Sequence, residues 1–324
     1  MKILHIVNVR HGDTSAPPFV KAQIDSLQKA GQNIYVLTIK GNHPKWKYLK
    51  ALVEMRNLIS KERFDIIHAH FSYSGVVAVL QRKSPVIISF MGTDLFGSRN
   101  DDGTLKVRGY LDNWLSKLLQ FFVDGIIIKS KCMEKELLKK EKYIVLPNGV
   151  DFGLFKEIPR DLARKKLGLE PKKKFILFAG NDKSQNKRLH VIKEAVDLLK
   201  IEDNRIELLV ANGYDHEIIP CFMNAANVLV LASIKEGSPN VIKEAMACNL
   251  PIVATDVGDI KEMVSGVSGC KIVEPDKNSI AQEVREILAL GRRTEGRKKI
   301  EHLNIVCIAE KLIDFYRQVI ISKK

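Results

Sequence analysis

Two glutamates with seven residues between them, Glu236 and Glu244, enclose the segment Gly237-Ser238-Pro239-Asn240-Val241. A carboxylate accepts hydrogen bonds on both oxygens, which suits the neighbouring hydroxyls of a sugar. The apolar run Val228-Leu229-Val230-Leu231-Ala232 before them reads as a buried strand, and Ser238 and Pro239 as the N-cap and first residue of a helix. Amides around Asn240 and Val241 would open from that helix start beside the positive end of its dipole. Such a start holds phosphate without a cationic side chain. Hydroxyl binders on either side of a phosphate cradle match a sugar joined through a diphosphate to a ribose. The same spacing also describes an ordinary capped helix with both glutamates in solvent.

A second group follows the run Phe175-Ile176-Leu177-Phe178-Ala179. The strand ends at Gly180-Asn181, a polar loop follows, and Lys187-Arg188 open the next helix. A glycine there would let a phosphate approach the backbone, and Lys187 would neutralise charge growing on a departing diphosphate. A Lys-Arg pair on a helix also serves as a plain solvated face.

These residues need a scaffold. Short apolar runs at 2–7, 33–38, 66–69, 86–90, 125–129 and 143–146 alternate with helical patterns at 19–30, 48–61 and 131–140. After the turn cluster Pro147-Asn148-Gly149-Val150-Asp151 and a basic stretch at 159–174, the alternation restarts. Runs at 175–179, 206–210, 228–232 and 251–255 then alternate with helical patterns at 189–200, 220–226, 240–247 and 279–290. Continuous apolar strands spaced by helices predict parallel sheets covered on both faces. The fold class is therefore α/β, with two doubly wound domains joined near residue 155 and ligands at the strand C-terminal ends.

The 324 residues, 45% hydrophobic and 28% charged, fit two globular domains and exclude a disordered or fibrous chain. No apolar run reaches the ~20 residues of a spanning helix. The opening Met1-Lys2-Ile3-Leu4-His5-Ile6-Val7 is too short for a signal peptide, so a cytoplasmic location is expected. Five scattered cysteines, with no Cys-x-x-Cys pair, read as ordinary thiols. Residues 1–150 carry +10 of the net charge of +14. That bias suits an anionic partner; nucleic acid is not expected, since no zinc-finger, RNP-type or basic-aromatic pattern occurs. Lysines and aromatics interleave at 45–50, and 110–122 is aromatic-rich. Both segments are candidates for a peripheral contact with an anionic membrane surface on the inner face of the cell membrane.

Glu236 and Glu244 resemble the Glu-x7-Glu motif of the retaining glycosyltransferases of family 4, which have the GT-B fold of two Rossmann-like domains. The resemblance spans roughly residues 2–275, weakens through 95–120 and in the last fifty residues, and extends to teichuronic-acid-type and other cell-surface polysaccharide enzymes. It implies a retaining transferase moving a sugar from a UDP- or GDP-sugar donor to a glycan or lipid-linked acceptor. Glu244 would hold the ribose and Glu236 the donor sugar. Gly180, Asn181 and the segment Gly237, Ser238, Pro239, Asn240 and Val241 would surround the rest of the donor, with Lys187 and Arg188 on the leaving phosphate. Residues 156–307 would bind the donor and 1–155 the acceptor, with a closing helix at about 308–324 packing back on the first domain. Phe19, His70, Met91, Gly92 and Asp94 would face the acceptor and cleft. Asn181 and Met91 depart from the arginine and histidine usual in the family. No Asp-x-Asp tripeptide is present, so neither a metal nor another cofactor is expected, the nucleotide sugar being a substrate. A sugar-nucleotide epimerase and a non-catalytic binding module are the alternatives.

Overall fold

The computed structural model describes residues 1–9, 16–41, 44–98, 100 and 104–323. Ser15 and most of the first loop lie outside the described residues.

The chain divides into two compact units. The first holds Met1–Ser98, Leu105–Gly149 and Ile305–Lys324, and the second holds Val150–Asn304. The divisions fall a few residues before the expected 155 and 307. The reason is local: the Val150 amide donates to the Leu303 carbonyl at 3.0 Å, and Val150 bridges to Asn304, so chain entry and exit are pinned together.

In the first unit the strands are β1 (Lys2–Asn8), β2 (Asn33–Ile39), β3 (Ile66–His70), β4 (Val86–Ser89), β5 (Gly125–Ile128) and β6 (Tyr143–Val145), all parallel, in the order β2-β1-β3-β4-β5-β6. In the second, β7 (Lys174–Ala179), β8 (Ile206–Ala211), β9 (Val228–Leu231), β10 (Ile252–Thr255) and β11 (Cys270–Val273) form a parallel sheet ordered β11-β10-β9-β7-β8. Every residue of β3, β4, β5, β9 and β10 is buried, because helices cover both faces, and this is why these strands read as unbroken apolar runs. Parallel neighbours require helical crossovers, and these return the chain so that successive loops gather at the strand C-terminal ends. The alternation thus folds as doubly wound α/β, as its sequence requires.

Three details differ from expectation. The segment 131–140 is not a helix: only a 3-10 turn, Lys131–Glu136, forms, and Leu137 turns extended to bury its side chain in the core. Strand β11 was not foreseen, since it is an edge strand with only half-buried residues and a weak apolar signal. The helix after β9 begins at Asn240, with Pro239 rather than Ser238 in the capping position and no side-chain cap.

The closing helix, Ile305–Ser322, buries Ile308, Leu312, Phe315, Tyr316 and Val319 in the first unit. Its Tyr316 hydroxyl shares a 2.6 Å hydrogen bond with Nδ1 of His68, whose Nε2 shares one of 2.8 Å with the Ser89 hydroxyl. His70, expected at the acceptor cleft, is instead fully buried; its Nε2 lies 2.9 Å from Nδ1 of His5. Strand register explains the correction: His5 pairs opposite His68, and His70 follows two residues on, so all three project from the same face of the sheet. Their nitrogens lie within 4.8 Å of one another, but the rings are stacked, His68 on His70 at 4.3 Å, and share their surroundings with Lys129. They pack as one buried cluster.

Burial holds all three imidazoles well below their usual range, His5 at about 3. Unfolded histidines bind protons below about 6.5, so this neutral cluster stabilises the fold above that pH and its contribution is lost as pH falls toward the folded value. The thermal midpoint should therefore drop between pH 7 and pH 4.5. His5→Asn should flatten that drop when both are followed by circular dichroism; an identical pH slope would show that the cluster does not carry it.

Candidate functional site

The second unit brings its candidate residues to the C-terminal ends of the neighbouring strands β10, β9, β7 and β8. After β7 the backbone passes through Gly180 at φ 155°, and a side chain at that position would come within 3.9 Å of the Lys187 stem. Asn181 is exposed, and its carboxamide oxygen accepts from the Lys183 amide at 3.0 Å, so it builds the turn. Arg188 links the short turn Gln185–Lys187 to the helix Leu189–Glu202 in a left-handed conformation, φ 49° and ψ 44°. Its Nε is buried and has no hydrogen-bond partner among the described residues.

Asn186 fastens this loop to the one after β9. Its carbonyl accepts from the Ile234 amide at 2.9 Å, its Nδ2 donates to the Lys235 carbonyl at 2.9 Å, and its Oδ1 accepts from the Lys235 amide at 3.2 Å. The clamp sets Lys187 Nζ 2.6 Å from Glu236 Oε1, both side chains being about four-fifths shielded. Lys187 and Glu236, 49 residues apart in sequence, thus form one ion pair. Shielding makes this pair stronger than a surface one.

Glu244, one turn into the helix Asn240–Ala247, accepts on Oε1 from His216 Nε2 at 3.0 Å. Burial opposes the charge on His216, but the Glu244 carboxylate outweighs it and raises the imidazole above its ordinary range. The Phe155 ring stands 5.2 Å from the His216 ring, fixing it from the other side. His216 therefore fixes the direction of the carboxylate.

Ser238 has a different task from the expected cap. Its hydroxyl accepts from Lys243 Nζ at 3.2 Å and bonds the Asp259 carboxylate. Lys243 is almost fully buried, which lowers its ammonium to about 8, and burial raises Asp259 while Lys243 and Ser238 oppose that rise. This trio supports the Gly237–Asn240 loop from beneath. From the loop after β10, Gly258 presses on it: at φ 67°, a Cβ there would lie 2.6 Å from the Gly237 carbonyl oxygen, so only glycine fits.

In the first unit, Asp94 Oδ1 accepts from the amides of Met91, Gly92 and Leu95 at 2.9, 3.1 and 3.1 Å, shaping the turn after β4. Desolvation pushes its carboxyl up to about 6 against those bonds. Phe19 lies edge-on to Phe71 at 6.5 Å, and Phe71, just past β3, holds a left-handed φ of 68°. Phe19 and the Met91–Asp94 turn thus stand in the first unit, while His70 is withdrawn into its core.

Asn186, His216, Lys243 and Asp259 were missed from sequence. Their roles arise from contacts 5 to 49 residues away.

Residues 7–153 match the family model described as Glycosyltransferase Family 4, and residues 176–290 the one described as Glycosyl transferases group 1. The chain belongs to the family 4 glycosyltransferases. This glycosyltransferase is 23% identical to the UDP-Gal:alpha-D-GlcNAc-diphosphoundecaprenol alpha-1,3-galactosyltransferase of Escherichia coli, over 92% of its own length and 87% of the relative. It is also 23% identical to the capsular polysaccharide biosynthesis glycosyltransferase CapM of Staphylococcus aureus, covering 93% of its own chain and 92% of CapM. Sucrose-phosphate synthase of Thermosynechococcus elongatus superposes with a TM-score of 0.81 at 20% identity, over 99% of this chain and 100% of that one. The fold is GT-B.

The buried Lys243 gives the glycosyltransferase a testable weak point. Lys243→Met leaves Asp259 without its cation and should cost about 3 kcal/mol of stability, read as a lowered urea midpoint. A midpoint within error of wild type would remove Lys243 from the loop support. Gly258→Ala, by straining the backbone and displacing Gly237, should lower the thermal midpoint; an unchanged midpoint would show that the contact does not shape the loop.

Proposed function

We propose that the protein transfers a sugar from a nucleotide-sugar donor to a glycan or lipid-linked acceptor in cell-surface polysaccharide synthesis, with retention at the anomeric carbon. The donor binds the second unit and the acceptor the first. One observation carries the reading: the shielded Lys187–Glu236 pair, set at the strand ends beside the Asn240 helix start and the His216-oriented Glu244. A UDP-sugar is the favoured donor and a sugar on a lipid diphosphate the favoured acceptor, by analogy with the Escherichia coli galactosyltransferase.

Charge sets the order of events. A diphosphate reaching the Asn240 helix start draws Lys187 from Glu236, and Arg188 adds a second cation. Glu236 is then released to accept from donor-sugar hydroxyls, while Glu244 takes the ribose. The bond from the anomeric carbon to the phosphate oxygen breaks, and the acceptor oxygen bonds that carbon on the same face. The acceptor proton passes to the departing phosphate. The cations take up the charge that develops on the diphosphate, with no metal needed in that role. The protein works at the cytoplasmic face of the membrane, where a nucleotide sugar and a lipid-linked acceptor meet.

Lys187→Ala should lower turnover about a hundredfold with a smaller effect on KM, whereas Glu244→Gln should chiefly raise the KM for donor. Thermal-shift screening with UDP- and GDP-sugars, followed by transfer to a sugar-diphospho-lipid in EDTA with the product anomer read by NMR, tests the whole reading. An inverted product overturns retention, loss of transfer in EDTA overturns metal independence, and an epimerised donor formed without acceptor gives the site to an epimerase. Donor binding without transfer or hydrolysis reduces the protein to a binding module.

A further inference from the structure

In the first unit the helix Val107–Leu119 is built with its apolar face outward. Its buried positions are Gly109, Ser116 and Leu119, and the Ser116 hydroxyl donates to the Asp94 carbonyl at 2.7 Å. Val107, Tyr110, Leu111 and Trp114 repeat at helical spacing on the opposite side, each more than 60% exposed, and Phe121 and Phe122 continue the stripe past the helix end at 58%. A soluble surface normally shows the reverse arrangement.

A second helix extends the patch. Along Pro44–Lys61, Ala51, Met55 and Ile59 face the core, while Trp46, Leu49 and Val53 are each more than half exposed. The two helices are joined through one contact group. Tyr48 stacks on Tyr73 at 5.6 Å, the Tyr73 hydroxyl donates to Asp112 Oδ1 at 2.7 Å, and Arg108 bonds Tyr73. Lys50 and Arg108 stand among the exposed aromatics, and half-buried Lys47, its ammonium lowered by burial and then by nearby Arg108, donates to Asn8 Oδ1 at 2.9 Å. Of the neighbouring acids, Asp112 is held by Tyr73, and Glu54 lies 3.8 Å from Lys50 in a solvent-exposed pair.

We infer that these two helices form a docking face for an anionic phospholipid bilayer. Tryptophan and tyrosine with apolar neighbours settle at the boundary between headgroups and acyl chains, and lysine and arginine between them pair with lipid phosphates. The cations, and the +10 carried by residues 1–150, select the negatively charged sheet. The docking face holds no part of the donor site, so it goes beyond the transfer reading and stands or falls separately from it.

The test uses the full chain with vesicles of 30% phosphatidylglycerol in phosphatidylcholine, against pure phosphatidylcholine, at low salt. The chain should pellet with the anionic vesicles and be released by 0.5 M NaCl. Leu111→Ser with Trp114→Ser should weaken binding at least tenfold, and Lys50→Glu with Arg108→Glu should abolish the anionic preference. Thermal midpoints and UDP-sugar shifts of the same variants confirm that fold and donor site persist. If donor binding fails while vesicle binding holds, only the transfer reading is lost. Equal pelleting with both vesicles, or undiminished binding by Leu111→Ser with Trp114→Ser, overturns the docking face. So does a wild-type dimer in sedimentation that this double variant converts to monomer, which would give the face to a second copy.

Discussion

The contact between Lys187 and Glu236 is the point on which the second unit turns. It joins two loops from adjacent strands, and it exists only because Asn186 has already fixed both backbones in register. Held apart from bulk water, the two opposite charges interact more strongly than an exposed pair would, yet neither is locked away. Such a pair keeps a lysine and a glutamate side chain ordered against each other. A ligand carrying both phosphate and hydroxyl groups can replace each half of the interaction with a better one, so reorganisation on binding is small.

Around that contact the structure supplies rigidity in layers. Glu244 is aimed by His216, and His216 in turn is backed by Phe155. Beneath the Gly237–Asn240 loop, buried Lys243 and Asp259 meet at the Ser238 hydroxyl, and above it Gly258 leaves no room for a side chain. None of these supports contains a group expected to touch the reacting atoms. Their common effect is to hold the loop's backbone still.

Much of the scaffold was legible from the residues alone, because strands buried on both faces must be apolar throughout and helices with one buried face must be periodic. What stayed hidden follows from the same physics. Cys270–Val273 pairs on one side only, so half-buried side chains left too weak a pattern. Leu137 satisfies the core by leaving a helical path that its neighbours' periodicity favoured. His70 sits on a strand whose register, not its composition, decides that it faces inward toward His5. In the site, type and spacing left Glu236, Glu244 and Lys187 open to a plain surface reading, and it was the resemblance to the Glu-x7-Glu family that singled them out. Asn186 and His216 stood out by neither, since their importance lies in partners that only the folded chain brings near.

The pairing of Val150 with Leu303 and Asn304 has a bearing on how such proteins diversify. A segment whose two ends are stitched side by side behaves as a cassette: it can be lifted out and replaced through two closely spaced junctions, without rethreading the sheet that remains. Recombination at those junctions would exchange everything between residues 150 and 304 in a single event while sparing the closing helix, and laboratory chimeras of related chains have their natural splice points there.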